Sequence, residues 1–405
     1  MDVARLRQDF PVLAGDDAPV YLDSACMTLK PRQVTAAVAH YMDELGACAG
    51  RSVHRLAGEV AEATTEARAK VAALAGVAPE RLVWQPNTTT AINLVASGTA
   101  WAKDGSDVVM TTDREHNSNL VPWLRLHTTG RARHAVLPTG DRGEVDLDHW
   151  HALLEEHKPR LVALGQASNV DGTSIPAREA VRLAQDLGAR VLLDAAQAMP
   201  HQEVRVDDLG ADYTCWSLHK MLGPSGVGAL AGGSLEALEE LEPLTVGGHT
   251  VDRSNLGGYD LSRVPDRFEG GLQDYGGQIG AGAACDYLTA VGRDEVAAHE
   301  RKLNARLHEG LLAAGVPEEA ILGPLDPAAR GGLTAFNLPG LTPHEVALYL
   351  DEVAGIAVRS GHHCNHATFA KLGQDGAVRS SLYLYNTEQD VDALVAAVEE
   401  LAAAL

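Results

Sequence analysis

The residues best placed to do chemistry lie in Cys215-Trp216-Ser217-Leu218-His219-Lys220, followed by Met221-Leu222-Gly223-Pro224-Ser225-Gly226-Val227-Gly228. A lysine follows a histidine at the end of a short apolar run and precedes a glycine-rich turn. Such an amine forms a Schiff base with an aldehyde where its pocket keeps it partly deprotonated. The aldehyde most often held this way is pyridoxal phosphate. Taken singly, a lysine in such a place is far more often a loop residue facing water.

Its neighbours change that balance. Asp194 in Leu193-Asp194-Ala195-Ala196-Gln197 lies one βα step before Lys220, so both can reach one ring from adjacent strands. A carboxylate against a pyridine nitrogen keeps that nitrogen protonated and makes the ring an electron sink. Alone, an aspartate there reads as a turn or cap residue. Gln197 could donate to the ring's phenolic oxygen, and His116 could stack on its face or be a partly buried structural histidine. Thr88 and Thr89, in Asn87-Thr88-Thr89-Thr90 at a helix start, read either as caps or as part of a phosphate cradle with the free N–H groups. Ser217 and His219 could join that cradle.

A second focus is Val358-Arg359-Ser360-Gly361-His362-His363-Cys364-Asn365-His366. A cysteine on a Gly/His-rich loop is a better nucleophile than a core thiol, because a nearby histidine can take its proton. An inert loop thiol is the plainer alternative. The histidines crowd into five residues with no distant ligand partner, so no metal is expected. Arg379 in Val378-Arg379-Ser380-Ser381 could grip a carboxylate bidentately or be a surface arginine.

These residues need a scaffold. Short apolar runs at 82–84, 107–110, 161–165, 191–193, 213–217 and 227–231 alternate with helical stretches such as 177–187. That alternation predicts an α/β fold, a mostly parallel sheet flanked by helices. Polar residues at the carboxyl ends of such strands are where ligands bind. Apolar spacing predicts helices over 32–45 and 58–74. After about residue 290 come charged helices (293–314, 343–353, 388–401), a Pro/Gly-rich break and a strand near 334–338. This predicts a large cofactor-binding domain over 20–285 and a smaller α+β domain from 1–19 and 286–405.

The 405 residues allow a large core, and 45% hydrophobic with 22% charged residues is ordinary for a globular chain. A formal net charge of -22 repels nucleic acid and anionic membranes, so neither is an expected partner. No apolar run approaches a membrane span, and the first residues show no basic-then-apolar signal. Five scattered cysteines without a Cys-x-x-Cys pair fit a reducing cytoplasm. Gly226-Val227-Gly228-Ala229-Leu230-Ala231 loosely matches a nicotinamide-binding pattern but continues as a strand instead of opening a helix, so an oxidoreductase is disfavoured. A non-catalytic sulfur-transfer scaffold would leave Lys220 and Asp194 without a purpose.

The pieces Tyr21-Leu22-Asp23, Arg51-Ser52-Val53-His54, Thr88-Thr89, Glu115-His116-Asn117-Ser118-Asn119, Ser168-Asn169-Val170, Asp194-Ala195-Ala196-Gln197, Ser217-Leu218-His219-Lys220, Arg267-Phe268-Glu269, Arg359-Ser360-Gly361-His362-His363-Cys364 and Arg379 run nearly end to end. In order and spacing they resemble the class V branch of fold-type I pyridoxal-phosphate enzymes, and within it the cysteine desulfurase/selenocysteine lyase group. The resemblance implies that Lys220 carries the cofactor and later moves the Cα proton. It implies that Asp194, Gln197 and His116 grip the ring, and that Thr88, Thr89, Ser217 and His219 bind the phosphate. Asn169 and Arg379 would orient the substrate, with Arg359, His54 and Ser24 also near it. Cys364 would take sulfur from L-cysteine or an analogue, leaving alanine and a persulfide. A homodimer and a sulfur-acceptor protein are implied as well.

The chain also departs from that group. Ser24-Ala25-Cys26-Met27-Thr28 replaces an Asn-Ala-Ala/Gly-type run that faces the substrate in relatives. Asn87 replaces a glycine and Thr90 an acidic residue. Leu272 stands where relatives have a threonine reaching the partner subunit's phosphate, and leucine cannot donate that bond unless Gln273 substitutes. These changes leave room for a C–S lyase, selenocysteine lyase, epimerase or aminotransferase on the same scaffold.

Overall fold

The computed structural model describes residues 1–15, 17–50 and 52–404, so Arg51 of the quoted Arg51–His54 motif lies outside the described residues. A seven-stranded sheet runs in the order Leu82–Gln85, Gly228–Gly232, Tyr213–Ser217, Arg190–Asp194, Leu161–Gly165, Val108–Thr112, Arg133–Leu137. Pairing is parallel throughout except around Gly228–Gly232, which is antiparallel to both neighbours. The expected mostly parallel α/β architecture is therefore present.

The central strands are apolar on both faces because both faces are covered. Alternate residues serve different cores, as the two-residue period of a strand requires. Leu192, Leu161 and Ala163 pack with Ile92, Trp123 and Leu126 on one side. Val191, Leu193, Val162 and Leu164 pack with Trp150, Leu154 and Val181 on the other. The second side continues through Trp84 and Trp216 to the helices Arg55–Ala75 and Tyr275–Val291. Those two helices meet at backbone contact: a Cβ at Gly282 would lie 2.9 Å from Ala67 Cα.

The C-terminal part adds a three-stranded antiparallel sheet, Leu333–Phe336, Ala377–Ser381 and Arg359–Gly361, with Ala377–Ser381 central. Helices Arg293–Ala313, Pro343–Ala354 and Glu388–Ala403 share its core. Val20–Tyr21, read from sequence with the larger unit, pairs in parallel with Ile356–Ala357. Asp23 then bridges to Ser381, which delivers residues 24–30 to the carboxyl edge of the large sheet.

Several elements differ from the sequence reading. The helix expected over 32–45 is α-helical over Arg32–His40 and widens to a π turn over Tyr41–Leu45 before left-handed Gly46. The hairpin Val251–Asn255/Gly258–Leu261 was not foreseen, because its mostly exposed residues carry no apolar alternation. Among the described residues, no helix is long and apolar enough to cross a membrane.

Gly228 is fixed by close approach. A Cβ there would meet Asn87 Cα at 2.7 Å and Trp216 O at 2.8 Å, both backbone atoms. Gly228→Ala is therefore expected to destabilise the protein by roughly 1–3 kcal/mol, as overpacking of a tight interior does. The measurement is the urea midpoint at unchanged m-value.

Candidate active site

Lys220 ends a 3-10 turn, Leu218–Lys220, that follows strand Tyr213–Ser217. The turn is held from both ends: Leu218 N donates to Val227 O (2.9 Å) and Gly223 N to Leu218 O (2.9 Å). The His219 carbonyl accepts from Thr28 N (3.1 Å), Thr28 Oγ1 (2.9 Å) and Lys30 Nζ (3.1 Å). The 24–30 segment is thus bonded directly to the residue preceding Lys220.

Lys220 opens into a cavity of about 300 Å³. Burial pushes its amine down to about 8; Asp194 pulls it back up, and Arg379 and Arg359 add to the fall. Asp194 sits on the adjacent strand, in register with Cys215, and accepts from Ala196 N at 2.9 Å. Burial raises its carboxyl above the usual range. Gln197 donates to Ala25 O (2.9 Å), while its buried Oε1 has no protein partner. His116 Nδ1 accepts from Ser118 N (3.0 Å) and caps helix Asn117–Thr128. Burial, then the charges of Lys220, Arg359 and Arg379, push His116 down to about 3, so it is a neutral ring near neutrality.

The threonines are not the helix cap. Asn87 takes that place, its Oδ1 accepting from Thr90 N at 3.0 Å. Thr88 and Thr89 occupy the first turn instead, which leaves their hydroxyls for other uses. Thr88 Oγ1 meets Ser217 Oγ at 2.6 Å, and Thr89 Oγ1 meets Ser118 Oγ at 2.6 Å. With His219 these residues line one part of the cavity, a set of donors at a helix N-terminus suited to an anion. Burial, then Lys220 and Lys30, lowers His219 to about 4.

The opposite wall comes from the C-terminal sheet. Arg359 and Arg379 are directly opposed across two antiparallel strands, an arrangement of like charges that costs stability unless an anion lies between them. Arg379 donates to Asp23 Oδ1 (3.0 Å) and Asn169 O (2.8 Å), and its buried Nε has no acceptor. Arg359 donates to Cys26 Sγ (2.9 Å) and approaches Cys364 Sγ (3.7 Å). Cys364 is exposed, next in sequence to cavity-lining His363, on a turn where His363 (φ 52°) and Cys364 (φ 57°) are both left-handed. Asn169 Nδ2 to His363 O (2.7 Å) and Asn117 N to Cys364 O (2.7 Å) hold that turn.

Lys220, Asp194, Gln197, His116, Thr88, Thr89, Ser217, His219, Asn169, Arg359 and Arg379 therefore meet around one cavity. Ser24, His54 and Cys364 are not among its lining residues; Cys364 meets the cavity only through Arg359. Ser24 is buried behind the wall against Tyr385 Oη (2.7 Å). His54 is exposed and caps helix Arg55–Ala75 through Ala57 N (3.2 Å). Leu272 is 74% exposed, and Gln273 donates to Glu269 O at 2.8 Å. Cys26 and Arg114 line the cavity without having been singled out from sequence. Arg114 pairs with fully buried Asp171, a contact between residues 57 apart that no local pattern signals.

The charge arrangement has a checkable sign. The reactivity of the apoprotein's Lys220 toward an amine-specific probe should titrate near pH 8. Arg359→Met removes a lowering charge and should move that midpoint up; Asp194→Asn removes the raising one and should move it down. Peptide-resolved labelling against pH measures both.

The family described as Aminotransferase class-V matches residues 20–394. A "Probable cysteine desulfurase" of Streptomyces coelicolor is 37% identical over 412 residues, covering 99% of this chain and 97% of that protein. A "Cysteine desulfurase" of Dickeya dadantii is 38% identical over 406 residues, covering 98% and 96%. Among solved structures, the apo cysteine desulfurase from Thermococcus onnurineus NA1 superposes with a TM-score of 0.94 at 35% identity, covering 99% and 98% of the two chains. A cysteine desulfurase from Escherichia coli in an S-sulfonic acid form gives 0.90 at 33% identity, covering 100% and 99%.

Proposed function

The chain belongs to the class-V aminotransferase family, and on that premise we propose that it is a pyridoxal-phosphate cysteine desulfurase, converting L-cysteine to L-alanine with a persulfide on Cys364. Full-length similarity to cysteine desulfurases supports the activity. The observation that carries it is Arg359, which lines one cavity with Lys220, an amine lowered to about 8, and reaches Cys364 Sγ at 3.7 Å on the exposed turn beside it.

The residues present fit the cofactor. Gln197 spends one Nε2 N–H on Ala25 O and has a second for the ring oxygen, Asp194 is a buried carboxylate that a cationic N–H would stabilise, and Thr88, Thr89, Ser217 and His219 gather donors at a helix start. We assign the ring to Asp194, Gln197 and His116, and the phosphate to the other four. When bound, pyridoxal phosphate supplies an electron sink for charge developing at the substrate Cα. Lys220 then holds and moves the proton at Cα. Asn169, Arg379 and Arg359 orient the substrate carboxylate. Cys364 Sγ attacks the substrate sulfur; the new S–S bond forms, the Cβ–S bond breaks, and its electron pair stays on the carbon side.

We place the protein in the cytoplasm, where its free thiols would stay reduced. A homodimer is proposed from the exposed apolar residues Leu244, Val246, Leu256, Tyr259 and Leu272, which fall within one stretch of chain. A sulfur-acceptor protein would take the persulfide from exposed Cys364. The second reading, a C–S lyase or selenocysteine lyase, draws on Cys26, which gives the substrate wall a thiol.

The test is an anaerobic assay of the yellow holoprotein with L-cysteine, scoring alanine and Cys364 persulfide by mass spectrometry. Lys220→Ala should lose the cofactor's visible absorbance and at least about 100-fold in alanine formation. Cys364→Ala should keep the absorbance but form no persulfide. Unchanged alanine release from Cys364→Ala, or a holoprotein inert to cysteine, would overturn the desulfurase reading in favour of the lyase.

A further inference from the structure

Arg359 does not serve Cys364 alone. Its Nη1 donates to Cys26 Sγ at 2.9 Å while its Nη2 approaches Cys364 Sγ at 3.7 Å. One guanidinium thus holds two thiols from segments 338 residues apart in sequence, the difference between positions 364 and 26. Arg359 sets a permanently charged donor against both sulfurs, and the Asp23 carboxylate hydrogen-bonds the Cys26 thiol as well.

Cys26 is fixed in this place. Its own N–H and that of Met27 donate to Asp23 O (3.1 and 3.2 Å). Ala25 N donates to Ser381 Oγ (2.9 Å), Gln197 Nε2 to Ala25 O (2.9 Å) and Tyr21 Oη to Met27 O (2.7 Å). The backbone on either side of Cys26 is therefore tied to Asp23, Ser381, Gln197 and Tyr21, and Cys26 itself lines the cavity. The same cavity holds Arg379, wholly buried and with an unpartnered Nε, so the substrate that Arg379 receives lies at the wall that Cys26 lines. Cys364 sits on the exposed turn and Cys26 on the half-buried side of the shared guanidinium.

We propose that Cys26 is a second sulfur carrier, to which the persulfide formed on Cys364 passes its outer sulfur. The proposal rests on the desulfurase reading. A persulfide lengthens the Cys364 side chain by one S–S bond, about 2 Å, and Cys364 Sγ already shares the Arg359 guanidinium with Cys26 Sγ. The Cys26 thiolate attacks the outer sulfur. The Cys26 Sγ–S bond forms, the Cys364 Sγ–S bond breaks, and the electron pair leaves on Cys364 Sγ. Cys364 takes up the proton that Cys26 lost. The exchange is between thiol and persulfide, so it needs no oxidant or reductant. It returns Cys364 to its starting state with sulfur stored in a less exposed position, and lets a second cysteine be processed before any external acceptor arrives.

The experiment uses the holoprotein with excess L-cysteine, anaerobically and without reductant, quenched over time with an alkylating agent and read by peptide mass spectrometry. The expected result is an added sulfur on the Cys364 peptide first and on the Cys26 peptide later, with Cys48, half-buried elsewhere, as the control thiol. Bound sulfane sulfur per chain should approach twice that of Cys26→Ser. An unlabelled Cys26 peptide beside a persulfidated Cys364 overturns the proposal and leaves the desulfurase reading standing. Equal labelling of Cys48, or undiminished labelling of Cys26 in Cys364→Ala, also overturns it, since sulfur then arrives without passing through Cys364. Absence of both alanine and persulfide sinks the desulfurase reading, and the relay with it. Because the primary readout is on the unmodified chain, no variant need fold for the test to count.

Discussion

Burial of positive charge is the constraint on which the rest of the structure depends. Lys220, Arg359 and Arg379 face one cavity; Lys220 feels both guanidiniums, and Arg379 feels Arg359, across a medium poorer in water than the surface. Desolvation lowers Lys220, and the two guanidiniums add to that fall against the pull of Asp194. Burial first, and then the same charges, keep His116 neutral. An amine that is partly free near neutral pH and an arginine pair directly opposed in a sheet are two results of one arrangement. Both are costs that an anionic ligand relieves.

That arrangement needs two sheets to meet. The large sheet brings Lys220, Asp194 and the Thr88 helix start to one edge, as parallel strands with covering helices do. The small antiparallel sheet brings the two arginines. Residues 20–30 join them: Val20–Tyr21 pairs with the C-terminal part, Asp23 binds Arg379, Ala25 accepts from Gln197, and Thr28 and Lys30 bind the carbonyl before Lys220. This short segment is the brace of the cavity as well as part of its wall.

The parallel sheet and most of its helices were legible because buried strands and amphipathic helices impose periods of 2 and 3.6 on sequence. Arg190–Asp194 and Tyr213–Ser217 fall within a residue of their expected bounds for that reason. The hairpin at Val251–Leu261 was not legible, since exposed strands bury no face and so carry no period. Nor was the cap at Asn87: three threonines and an asparagine all suit that position, and only the backbone path decides among them.

The sequence by itself determined the chemistry on offer: a lysine at a strand end, a carboxylate one βα step earlier, a cysteine on a Gly/His loop, and arginines to receive a carboxylate. Residue type and local order carry that information because each group's reactivity is intrinsic to it. Only the tertiary structure decided how those groups meet. It set Ser24 behind the wall and His54 on the surface, and it placed Cys26 and Cys364 on one guanidinium. Contacts between segments hundreds of residues apart depend on how two sheets pack, and no local pattern in the chain encodes that distance.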